Sequence, residues 1–163
     1  MVAGCVITEE CALEVSADRM WKVTISSDAL LKACAGLIDS VNVDGDGGPG
    51  TVNTLTLNAA AAAASGGGVM KGRVVARDDA ARVLKNEVLE GGKVVGQLKS
   101  LVNEVKLEAA GDGACVAKVM VEYERIDGGG LLAPEDQAAL VGGYVGMLKM
   151  MEAYLVANPS EYV

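Results

Sequence analysis

An α+β fold, with one long C-terminal helix lying along a curved antiparallel sheet, is predicted by three observations. Four extended segments follow one another between residues 70 and 125, with turn signals between them. A single apolar stripe then recurs at helical spacing through Leu140, Tyr144, Met147, Leu148, Met151 and Leu155. Ahead of both, two β-rich segments flank a loop with four glycines and a proline in six residues, Gly45-Asp46-Gly47-Gly48-Pro49-Gly50.

The elements follow in order. A first extended segment ends over residues 12–15, and Ser16-Ala17-Asp18 supplies helix-start chemistry before Met20, Trp21, Val23 and Thr24. A second short helix fits residues 27–37, with Leu30, Leu31, Cys34 and Leu37 on one face. Residues 38–43 and 52–57 read as strands, the second alternating apolar and polar side chains. Residues 59–64 are all alanine and run into Ser65-Gly66-Gly67-Gly68. This low-complexity piece reads as a loose hairpin connection with at most a helical turn. The four later strands cover residues 70–77, 82–90, 97–109 and 114–125, broken at Asp78-Asp79, Gly91-Gly92 and Gly111-Asp112-Gly113. Gly128-Gly129-Gly130 releases the chain into the long helix, whose first turn carries Pro134, Glu135 and Asp136. Asn158-Pro159 stops it, giving about 24 residues and about 36 Å. No linker or repeat divides the chain, so residues 1–163 form one domain.

Composition narrows the chemistry. Apolar residues make up 51% of the chain, but aromatics only 3%, and phenylalanine is absent. The interior is therefore aliphatic. A net charge of −8 argues against a stable nucleic-acid complex, which needs a basic face. The absence of histidine removes the usual base of nucleophilic triads and the commonest transition-metal ligand. Cys5, Cys11, Cys34 and Cys115 show no paired spacing, so neither a metal site nor another cofactor is expected. The N-terminal stretch lacks a basic region and is interrupted by Glu9 and Glu10, unlike a signal peptide. No apolar run approaches a membrane span. A cytoplasmic protein with reduced thiols, without a membrane partner, is expected.

The glycine loop poses a choice between an anion cradle and a stiff turn. Nucleotide-binding loops of the Walker type end in Gly-Lys-Ser/Thr and enter a helix. This loop ends in Gly50-Thr51-Val52 and enters a strand, and Asp44 and Asp46 add repulsive charge. Gly45, Gly47, Gly48 and Gly50 therefore read as a structural β-turn.

Several motifs in register are more specific than that loop. Residues 17–22 (Ala-Asp-Arg-Met-Trp-Lys), 32–37 (Lys-Ala-Cys-Ala-Gly-Leu), 106–109 (Lys-Leu-Glu-Ala) and 152–155 (Glu-Ala-Tyr-Leu) join the loop in order and spacing. With them the whole chain resembles the plant pathogenesis-related class 10 proteins, relatives of the major birch pollen allergen. Residues 147–150 and 158–162 are similar to the grass members in particular. The resemblance implies a helix-grip fold. Its seven-stranded curved antiparallel sheet wraps the long helix, and two short helices form a V. It also implies an apolar cavity that takes amphipathic small molecules, such as cytokinins, flavonoids and steroids, in an intracellular defence or stress setting. A monomer is expected.

By strand alternation and family position together, Ile25, Leu30, Leu57, Leu84, Asn86, Leu101, Asn103, Val105, Val119, Val121 and Tyr123 point inward. Leu140, Gly143, Tyr144 and Met147 are added from the helix. The pattern alone favours a packed core; the resemblance assigns it instead to a ligand cavity with two amides and two phenols. The alternative activity is a ribonuclease. Glu152 and Tyr154 match the helix part of the family's proposed acid–base pattern, while Lys99 stands where a strand glutamate is expected. Lys118 falls on the polar face of its strand. A third reading, a hormone-gated interaction module, would need gating loops that residues 78–81 and 91–92 do not resemble.

Overall fold

Seven strands form one antiparallel sheet: β1 (Cys5–Leu13), β2 (Ile38–Asp44), β3 (Val52–Leu57), β4 (Val69–Asp78), β5 (Val83–Glu90), β6 (Leu98–Ala109) and β7 (Cys115–Arg125). The computed structural model describes residues 5–65 and 67–163 of the chain. Part of the N-terminal reading (residues 1–4) and part of the glycine run (Gly66) lie outside the described residues. The strand order is β1-β7-β6-β5-β4-β3-β2, a meander with the first strand laid beside the last.

The alternation of β7 fixes which face is concave. Cys115, Ala117, Val119, Val121 and Tyr123 are all buried, and their partners on β6 are Ala109, Leu107, Val105, Asn103 and Leu101. A shift of one residue would turn this set to solvent, so burial pins the register. Register breaks between Val74 and Ala76 on β4 and between Leu98 and Ser100 on β6 add local twist. They bend the sheet around what it covers.

Among the described residues, five helices accompany the sheet. The first two are α1 (Ala17–Thr24) and α2 (Ser27–Ala33). The Ser16 hydroxyl accepts from Arg19 N and that of Ser26 from Ala29 N, both at 3.3 Å, so each helix has a serine cap. The long helix α5 (Pro134–Ala157) has 24 residues, the expected length, with Pro134 in its first turn. Its buried stripe is Val141, Leu148, Met151 and Leu155. Arg19 closes the far end of α5. Its guanidinium donates to Leu155 O at 3.0 Å, Asn158 O at 2.9 Å and Glu161 O at 3.0 Å. Leu155 O belongs to the last turn of α5, where carbonyls lack their helical donors, and Asn158 O and Glu161 O to the turn that follows it.

Two short helices differ from expectation. The alanine run is a seven-residue helix, α3 (Ala59–Ser65), not a loose connection. Asn58 explains it: its side-chain oxygen accepts from Ala61 N at 2.8 Å while its amide donates to Gly36 O at 2.7 Å. A capped start lets the high helix propensity of alanine prevail. The Gly91-Gly92 break likewise opens into a single turn, α4 (Gly92–Val95), with Val94 and Val95 packed toward the core.

The cysteines are all free, and Cys11, Cys34 and Cys115 are buried. Burial pushes the thiols of Cys34 and Cys115 up to about 11. The thiolate is the reactive form. One fast-reacting thiol is therefore expected with an aromatic disulfide reagent at pH 8, and Cys5→Ser should abolish that phase. Three fast thiols would contradict the buried placement.

Candidate functional site

The space between α5 and the sheet is uneven. The α5 backbone lies close to α1, α2, α4, β1 and β7, and stands off from β3, β4, β5 and β6. Its C-terminal half is anchored through Leu148, Met151 and Leu155, whereas its N-terminal half buries only Val141 fully. Beneath that overhang the side chains are half-buried. Leu55, Met70, Leu84 and Val88 from β3, β4 and β5 remain so, with Ile25 and Leu30 from the short helices and Leu140, Tyr144 and Met147 from α5. These side chains pack against the core while keeping part of their surface accessible.

The inward set therefore divides in two. Leu57, Leu101, Val105, Val119, Val121 and Tyr123 are buried and form the packed floor. Ile25, Leu30, Leu84, Asn86, Asn103, Leu140, Tyr144 and Met147 are half-buried. Gly143 is exposed, with nothing within 4 Å of a Cβ built on it. At 3.6 residues per turn Gly143 lies about 40° round the helix from Met147 and about 60° from Leu140, at the rim of the face they share. Leu55 was legible in principle, since it alternates with Leu57 on β3. Met70 and Val88 follow only from the register across β3, β4 and β5.

The polar groups have distinct duties. The Tyr123 hydroxyl accepts from Leu132 N at 3.0 Å, which ties the start of α5 to the sheet. Gln137 Nε2 donates to Leu132 O at 2.8 Å, doubling the tie. Burial pushes the Tyr144 hydroxyl up to about 12, so it stays protonated at any working pH.

The glycine loop is closed on itself. Gly45, Gly47 and Gly50 have φ of 135°, 94° and 93°, conformations that favour glycine. Asp46 Oδ1 accepts from Gly48 N at 2.9 Å, and the buried Thr51 hydroxyl accepts from Gly47 N at 2.9 Å. Gly50 N donates to Val74 O at 2.8 Å and Thr51 N to Gly48 O at 3.1 Å. These donors, which would otherwise be free to cradle a phosphate, are occupied by acceptors of the loop and of β4. Arg77 braces the loop from β4, donating to Gly47 O at 3.3 Å and to Asp79 at 2.8 Å. Its hydrogen bond holds the Asp79 carboxyl below the usual carboxylate range.

The family model of the pathogenesis-related protein Bet v 1 family matches residues 3–158. The chain belongs to that family. It is 30% identical over 156 residues to the pathogenesis-related protein STH-21 of Solanum tuberosum, covering 95% of this chain and 96% of that protein. The crystal structure of Ara h 8.0201 superposes with a TM-score of 0.76 at 25% identity, covering 94% and 99% of the two chains. Norcoclaurine synthase from Thalictrum flavum, in complex with dopamine and hydroxybenzaldehyde, shares the fold at a TM-score of 0.68 and 22% identity, covering 94% and 87%.

In this Bet v 1 family member the acid–base candidates are engaged elsewhere. Glu152 accepts from Glu14 N at 2.6 Å and from Lys149 Nζ at 3.3 Å, beside a shallow cleft of about 460 Å³ that also touches Leu13 and Cys115. The Tyr154 hydroxyl donates to Glu161 instead, a bond that, with burial, pushes it up to about 12. No hydrogen bond links Glu152 and Tyr154 among the described residues. Lys99 is exposed and lies 3.9 Å from Glu124. Lys118 sits on the convex face, 3.1 Å from Glu108 and 3.8 Å from Glu10, and its hydrogen bond to Glu108 raises the ammonium above its usual range.

Proposed function

We propose that this Bet v 1 family protein binds amphipathic small molecules between the N-terminal half of α5 and the concave face of β3 to β6. Plant hormones such as cytokinins, flavonoids and steroids are the ligand classes in view, within an intracellular defence or stress role. The observation that carries the reading is the half-buried apolar lining beneath an α5 that stands off from the sheet. Binding draws on apolar burial at about 25 cal/mol per Å², reduced by ordering costs. The scarcity of aromatics favours shape and aliphatic contact over ring stacking. Fluorescent-probe displacement and calorimetry across the three ligand classes test it. Micromolar binding of at least one class is expected, competed by the others; no uptake of any apolar probe would sink the reading.

A further inference from the structure

We infer that Asn86 and Asn103 are the specificity-determining pair of this cavity, selecting a neutral ligand head that both donates and accepts hydrogen bonds and disfavouring carboxylates. The inference rests on the ligand-binding reading above. The two residues are direct cross-strand partners on β5 and β6. Their row on the concave face runs Val74, Asn86, Asn103, Val121. Directly opposed side chains in an antiparallel pair stand about 5 Å apart at Cβ, close enough to act on one head group.

Neither amide has a hydrogen-bond partner among the described residues, and both are half-buried. Among the described residues, the one fully buried side-chain polar atom without a partner is Arg125 Nε. The amides therefore keep accessible surface, and on this face it opens beneath α5. Each amide offers two N–H donors and a carbonyl acceptor. Side by side, they present an alternating donor–acceptor edge. The complement is an amide, a lactam, or a carbonyl beside a hydroxyl. The Tyr144 hydroxyl, unpartnered among the described residues, supplies a third neutral group from the opposite wall.

The charges that share this face by register are cancelled or displaced. Arg77 pairs with Asp79 at 2.8 Å and Arg125 with Asp127 at 2.9 Å, each the carboxylate two residues further on. Each arginine also donates to a backbone carbonyl, of Gly47 and Leu131 respectively. Glu9 lies exposed on the edge strand β1. A carboxylate entering the cavity would lose its hydration and, among the described residues that share this face of the sheet by register, meet no free cation, which is costly. A neutral amide would exchange water for the asparagines at little loss.

The test compares decanamide with decanoate, identical in body and different in head, by displacement of the neutral probe N-phenyl-1-naphthylamine at pH 7.5. The wild-type protein should prefer the amide by about tenfold or more, the discrimination expected when a built polar site loses its partner. Asn86→Leu/Asn103→Leu should reduce that preference to within about threefold, with each displacement referred to the variant's own probe affinity. The single Asn103→Leu variant gives the same readout if the double variant fails to fold. Equal binding of the two heads by wild-type protein, or a preference unchanged in the folded variants, overturns the inference. Absence of probe binding by wild-type protein overturns the ligand-binding reading instead.

Discussion

Arg19→Ala is expected to lower the midpoint of thermal unfolding by roughly 6–12 °C, corresponding to about 3 kcal/mol. The side chain is half-buried between α1 and the end of α5. One guanidinium serves three carbonyls, of Leu155, Asn158 and Glu161, with Nε adding a second bond to Glu161 O at 3.2 Å. Its removal strands acceptors that would otherwise be solvated or capped. It also withdraws a cation from the negative end of the α5 dipole, whose last turn has no basic residue of its own. Lys22→Ala is the matched control. Its ammonium reaches Val163 O at 2.8 Å but is exposed, so a shift under about 2 °C is expected. Circular dichroism melts of both variants decide between a clamp and an incidental contact. Equal small shifts would show that the helix end holds without Arg19.

The division between what was and was not legible in the sequence follows the range of the forces. Period-two alternation on β7 and the stripe on α5 report burial directly, and both give the elements at close to their observed bounds. The Arg19 clamp joins residues 136 to 142 positions apart, and no local pattern marks it. The α3 helix turns on one side chain, Asn58, whose amide finds Gly36 across the fold. Polyalanine without a cap is ambiguous; the cap, Asn58 Oδ1 accepting from Ala61 N, is local and was legible, whereas the tie to Gly36 was not.

The candidate site shows the same limit. Alternation placed Leu84, Asn86 and Asn103 on the right face, and family position added the helix side. Which of those residues are packed and which are left accessible depends on how far α5 stands from each strand. That distance is set by what α5 rests on: α1, α2, β1 and β7. The glycine loop, the most conspicuous motif in the sequence, carries its own acceptors in Asp46 and Thr51 and needs no anion.

The triple substitution Gly142→Ala/Gly143→Ala/Gly146→Ala is expected to stabilise the protein by about 1.5–3 kcal/mol, from about 0.5–1 kcal/mol at each position. All three glycines lie in the interior of α5, are exposed, and meet nothing within 4 Å of a built Cβ. None has a left-handed φ. Alanine therefore fits the native backbone without strain, and the gain comes chiefly from fewer conformations in the unfolded chain. The same variant tests the placement of Gly143. A methyl group on the outer face leaves probe affinity unchanged, whereas one inside the cavity displaces apolar ligand and lowers it. Urea unfolding reads the first effect and probe titration the second. A higher midpoint with unaltered probe binding is the expected result. A loss of affinity in Gly143→Ala alone would place that residue on the cavity wall beside Leu140 and Met147.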